Sequence, residues 1–148
     1  MPRKVRVCGA AFSPLGGGPW TVEANRERAL RLVDRAALSR PDLMALPETF
    51  LTTNVPYDRA LEVAEPVPGS TTEALAAKAR EHGCCLICPL FEEDGGRVYN
   101  TAAIFNRQGE MVGKYRKIHP TLGRLVEEFG LERLDDYLRR SAAALSEG

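Results

Sequence analysis

The stretch from Cys84 to Lys117, CCLICPLFEEDGGRVYNTAAIFNRQGEMVGKYRK, decides the fold class. It divides into three strand-like runs, Cys84–Glu92, Val98–Asn106 and Met111–Lys117. Between them lie Asp94-Gly95-Gly96 and Arg107-Gln108-Gly109, both with hairpin turn chemistry. Upstream, the pattern changes period. Val5–Phe12 reads as a short apolar strand, and Glu23–Ser39 carries Ala29, Leu30, Leu32, Val33, Ala36 and Ala37 at the spacing of an amphipathic helix. Asp42–Glu48 is a brief apolar run without alternation, which predicts a strand covered on both faces. Tyr57–Ala64 reads as a short helix, and Thr71 or Thr72 is expected to cap another that runs to about Glu81 and breaks at Gly83. The order β-α-β-α-β followed by hairpins predicts an α/β fold, a mixed sheet with helices on a face.

Composition narrows the function. The 148 residues carry 20 Lys+Arg against 20 Asp+Glu. A formal charge of zero argues against nucleic acid or an anionic membrane as the main partner. The basic start MPRKVRVCGAAF has too short an apolar run for a leader, and no stretch approaches a membrane span. A cytoplasmic protein is expected. The triple glycine Gly16-Gly17-Gly18 is not a phosphate loop, because no Gly-Lys-Ser/Thr follows.

The four cysteines have a plain reading and a chemical one. Cys85 and Cys88 match C-x-x-C, but on a strand they point to opposite faces. Cys84 and Cys88 share a face at about 13 Å, too far apart for one metal or a disulfide. Buried strand thiols are therefore expected, against a thiol-redox protein built on Cys85 and Cys88. His119 lacks the partners of a metal ligand.

Two further residues could carry chemistry. Glu48 ends the Asp42–Glu48 run, at the strand end where open α/β sheets bind ligands. It is either a base with a raised pKa or a solvent-facing carboxylate that closes the strand. Lys114, Arg116 and Lys117 could form a solvated basic edge. Alternation instead puts Lys117 on the face of Met111, Gly113 and Tyr115, with Lys114 and Arg116 on the other, which hints that Lys117 points inward.

Taken together, PDLMALPETF, AEPVPGSTTEALAAKAREHG and DGGRVYNTAAIFNRQGEMVGKYRKIHP, in this order, resemble the N-terminal half of the nitrilase superfamily, the carbon–nitrogen hydrolases. The likeness covers residue 3 to about 123. It implies about half of a nitrilase-like α-β-β-α sandwich, residues 1–122, followed by a helical tail over 123–148. It also implies hydrolysis of small amides, N-carbamoyl compounds or nitriles by a Glu, a Lys and a Cys, without a cofactor or metal. The family Glu falls on Glu48, as general base, and the family Lys on Lys117, beside the developing oxyanion. The family's nucleophilic Cys lies further on, and nothing after Pro120 is a cysteine. A second carboxylate falls on Glu127 or Glu128. The expectation is a truncated hydrolase that does not turn over amides alone. The alternative is a non-catalytic binding or assembly protein that kept the half-fold. In either case an apolar sheet face must be covered, by the helix of residues 123–146 or by a second copy in a homo-oligomer.

Overall fold

A computed structural model describes residues 4–11, 19–55, 59 and 62–118. The chain divides into two compact units, 1–116 and 117–148. Of the second, only Lys117 and Ile118 are among the described residues. The boundary expected at residue 122 and the tail helix lie outside them, as does half of the Tyr57–Ala64 segment, in which Arg59 and Glu62 are helical.

The first unit holds one five-stranded sheet in sequential order. Its strands are β1 (Val7–Gly9), β2 (Leu43–Ala45), β3 (Cys85–Asp94), β4 (Arg97–Phe105) and β5 (Met111–Arg116). β1, β2 and β3 run parallel, joined through α1 (Val22–Ala37) and α2 (Ser70–His82). β3, β4 and β5 are antiparallel hairpins. The mixed sheet with helices on a face is therefore as the sequence predicts. Gly95 and Gly96 both take positive φ, 61° and 77°, the conformation a two-residue hairpin needs. Gly109, at φ 75°, closes the second hairpin so near α2 that a Cβ would run into the carbonyl of Ala76.

One face of the sheet carries the core. Leu86, Cys88 and Leu90 of β3, with Ala103 and Phe105 of β4, are buried beneath Ala29 and Val33 of α1 and Leu75 and Ala79 of α2. The opposite face is apolar and less buried. Ile87, Phe91, Ala102 and Ile104 are only partly buried, and Val7 and Tyr115 are 63% and 53% exposed. β2 shows the same difference between its faces. Met44 is buried, whereas Leu43 and Ala45, on the other face, are partly buried.

Two local expectations also change. α2 starts one residue before Thr71, with Gly69 as its N-cap. Glu65 supplies the missing acceptor from upstream: its carboxylate accepts from the Thr71 amide at 3.0 Å and from the Ser70 hydroxyl at 3.0 Å. Thr71 and Thr72 then lie buried in the first turn, and Thr72 still takes part in the cap, its hydroxyl accepting from the Gly69 amide at 2.8 Å. In β5, the pairing slips between Ile104 and Phe105, so that Gly113 faces Ile104 while Met111 faces Phe105. The irregularity breaks strict alternation. Met111 does not share the face of Gly113 and Tyr115.

Candidate active site

Glu48 leaves the sheet at the C-terminal end of β2. The Leu46 amide still donates to the Ile87 carbonyl at 3.1 Å, prolonging the pairing with β3 by one residue. Pro47 stops it, since proline has no amide to donate. Glu48 is exposed, and Thr49 turns the chain through a left-handed conformation, φ 46° and ψ 42°. A β-branched residue adopts this region only where its surroundings enforce it. The enforcing contacts follow at once. Phe50 and Leu51 are buried in a single 3₁₀ turn, Phe50–Thr52. Asn25, fully buried in α1, donates through Nδ2 to the carbonyls of Leu51 at 2.8 Å and Thr53 at 2.9 Å. Asn25 Oδ1 accepts from Arg28 at 2.9 Å, and the Arg28 guanidinium lies 4.4 Å from the centroid of the Trp20 ring.

The Glu48 side chain has its own anchor. Asn100, in β4 and on the less buried face, donates from Nδ2 to Glu48 Oε1 at 2.7 Å. The solvent-facing carboxylate and the base remain compatible with this geometry, because an exposed carboxylate that accepts from an amide can serve as either.

Lys117 follows directly on Arg116 at the end of β5 and is partly buried. Glu127, Glu128 and His119 lie outside the described residues. The two other basic residues of this strand are not a solvated edge. Lys114 and Arg116 point to the helix-covered face and converge on Glu92, whose side chain is only 1% exposed. Arg116 Nε and Nη2 each donate to the Glu92 carboxylate at 2.9 Å. The Thr101 hydroxyl donates at 2.6 Å, and Lys114 adds a fourth donor. Arg116 also reaches Asp94 at 2.6 Å and stacks 3.8 Å from the Tyr99 ring centroid. Burial pushes the Glu92 carboxyl pKa up, but the hydrogen bonds from Arg116, Lys114 and Thr101 outweigh it and bring it down to about 2.

The sequence reading missed Asn25, Glu92 and Asn100. A signal existed for Glu92: it has the parity of Leu86, Cys88 and Leu90, so it is a charge in a core register. Lys114 and Arg116, on the matching parity of β5, were its visible counter-ions.

All four cysteines are free, with Cys84 and Cys88 buried and Cys8 and Cys85 partly so. Burial pushes the Cys84 and Cys88 thiols up, away from the thiolate that nucleophilic or redox chemistry needs. A thiol reagent applied to the native chain is expected to label Cys8 and Cys85 and to reach Cys84 and Cys88 only on unfolding. Rapid labelling of Cys88 would contradict this burial. Asp34, Glu81 and His82 bring one ligand atom each within 4.8 Å of one another. Lys78 already occupies a cation's place there, with Nζ 2.7 Å from Asp34 and 2.9 Å from Glu81.

With the sheet order and the Glu48 loop established, comparison with known proteins is decisive. The carbon-nitrogen hydrolase family model matches residues 4–142. The chain belongs to the carbon–nitrogen hydrolase family. It is 43% identical over 98 residues to an omega-amidase NIT2 of Xenopus tropicalis, a match covering 64% of this chain and 34% of that protein. Against the omega-amidase NIT2 of Homo sapiens the identity is 40% over the same lengths. The chain thus spans about a third of the length of these curated relatives.

Solved structures agree on the fold. A carbon-nitrogen hydrolase from Helicobacter pylori G27 superposes with a TM-score of 0.61 at 22% identity, over 78% of this chain and 40% of that one. An N-terminal amidase with an Asn-Glu-Ala peptide gives 0.67 at 23% identity, over 82% and 30%. The hydrolase assignment rests on the family match; these structures support the nitrilase-like α/β architecture. The residue roles are a separate matter.

Proposed function

We propose that this chain carries the base and the oxyanion-stabilising lysine of an amidase-type carbon–nitrogen hydrolase, acting on small carboxamides, N-carbamoyl compounds or nitriles in the cytoplasm. The observation that carries the reading is Glu48: a carboxylate at a strand end, on a turn pinned by Asn25, with one oxygen held by Asn100. The similarity to omega-amidases supports carboxamides as the first substrates to try. In cysteine-dependent hydrolysis, Glu48 takes the thiol proton as sulfur attacks the carbonyl carbon. It returns that proton to the departing ammonia. Lys117 stabilises the negative oxygen of the tetrahedral intermediate. Water then attacks the thioester, with Glu48 again the base.

The nucleophile is none of Cys8, Cys84, Cys85 and Cys88. All four belong to the strands or their immediate starts, and the two buried thiols are disfavoured as thiolates. Two observations support a need for further covering structure: the exposed Val7 and Tyr115 on the sheet face opposite the helices, and the third of a relative's length that the chain spans. In the hydrolase reading, the remaining part of the domain packs on this face and brings the thiol. The exposed Val7 and Tyr115 also favour a second reading, in which a homo-oligomer or binding partner covers this face without catalysis.

Ammonia release from small carboxamides by the 148-residue chain is expected not to exceed the buffer rate. Release that persists undiminished in Lys117→Ala would overturn the role given to the lysine.

A further inference from the structure

We infer that Asn100 is a positioning residue for Glu48, fixing the rotation of the carboxylate that takes the proton; this rests on the reading of Glu48 as the base. Glu48 sits on a connection, with only one short turn after it, whereas a base must present its lone pairs in a set direction. Asn100 is rooted differently. It lies inside β4, opposite Phe91 of β3, and its neighbour Thr101 pairs with both Leu90 and Arg116. Strand pairing on both sides makes a stiffer support than a loop can supply. Thr101 is also fully buried and donates to Glu92, which is itself held by Lys114 and Arg116. The root of the Asn100 side chain is thus tied into the most charged contact of the core.

The chemistry of the contact suits the task. An ionised carboxylate only accepts, so the asparagine must present Nδ2 and not Oδ1. At 2.7 Å the bond has the length of a charge-assisted one. The donor is a planar amide, so a bond to one carboxylate oxygen restricts how the carboxylate can rotate. Asn25 completes the arrangement from the backbone side: its two bonds to Leu51 and Thr53 hold the turn that follows Glu48. One amide sets where the residue begins, and the other sets how its carboxylate is turned.

The test is a titration of the Glu48 side-chain carboxyl carbon by carbon-13 NMR in the 148-residue chain, with the signal assigned by its loss in Glu48→Gln. Removing a donor to the charged form favours the neutral form, so Asn100→Ala should move the midpoint up. Asn100→Asp, which keeps the shape but replaces the donor by a like charge, should move it further up. A midpoint the same as wild type in both variants would overturn the contact and the proposal. Should Asn100→Ala fail to fold, Asn100→Ser keeps a shorter donor in the strand and should titrate between wild type and Asn100→Asp. The base itself is tested separately, by ammonia release from the chain completed with the cysteine-bearing remainder of an omega-amidase. An unmoved midpoint with release abolished in Glu48→Gln would overturn the positioning role alone. A moved midpoint with release intact in Glu48→Gln would overturn the base, and the positioning role with it.

Discussion

Glu92→Gln should lower the unfolding free energy by about 3 kcal/mol at neutral pH, measured by urea denaturation. Breaking a buried ion pair by removing one partner costs roughly 3–5 kcal/mol, because a charge is left without its counter-ion. The lower end applies here, since Lys114 and Arg116 are each 32% exposed and can turn toward water, and Arg116 keeps Asp94. Linkage gives the same size. The Glu92 carboxyl falls from 4.5 to about 2 on folding, and each unit is worth about 1.4 kcal/mol. The sign follows from the depression: this stability is fully present above the unfolded pKa and is lost as pH falls from about 5 through 2. Wild type should therefore weaken steeply over that range, and the glutamine variant should lack this part of the slope. Equal stabilities of the two proteins at pH 7 would show that the network contributes nothing net.

Phe50→Ala is expected to cost about 3–5 kcal/mol, the range for deleting a fully buried aromatic side chain and leaving its cavity. Phe50 is 0% exposed and belongs to the core cluster shared by α1, α2 and β3. It also stands two residues beyond Glu48, so the loss should loosen the turn that places the carboxylate. Leu38→Ala offers the control: Leu38 is 83% exposed at the end of α1, and its truncation should stay within about 0.5 kcal/mol. A thermal melt of the three proteins checks the contrast. Similar midpoints for Phe50→Ala and Leu38→Ala would contradict the burial of the turn.

The parts of this fold that are legible in sequence are those where polarity and geometry share one period. Leu86, Cys88 and Leu90 alternate with less buried neighbours, and Ala29 and Val33 repeat at one helical turn, so strand and helix could be read directly. The two glycine turns announce the hairpins. Legibility fails where a polar residue does a core residue's work. Asn25 falls one turn before Ala29 on the buried face of α1, but a polarity pattern counts it as exposed. Glu92 continues the buried register of β3 and was passed over for the same reason. The slip near Val112 could not be seen either, because an irregularity in pairing leaves composition unchanged.

For the site, sequence singled out Glu48 and Lys117 by resemblance, and physical reading of those segments left each with two meanings. The structure supplies what a sequence separation of 52 residues concealed, the amide of Asn100 on Glu48. It also removes Lys114 and Arg116 from any solvated edge by giving them Glu92.

The most direct measurement is ammonia release from a small carboxamide by the chain completed with the cysteine-bearing remainder of an omega-amidase, comparing wild type with Glu48→Gln and Lys117→Ala. The account predicts release by the completed wild type and its loss in both variants, with the fold of each confirmed by its melt. Release at the wild-type rate in folded Glu48→Gln would contradict it.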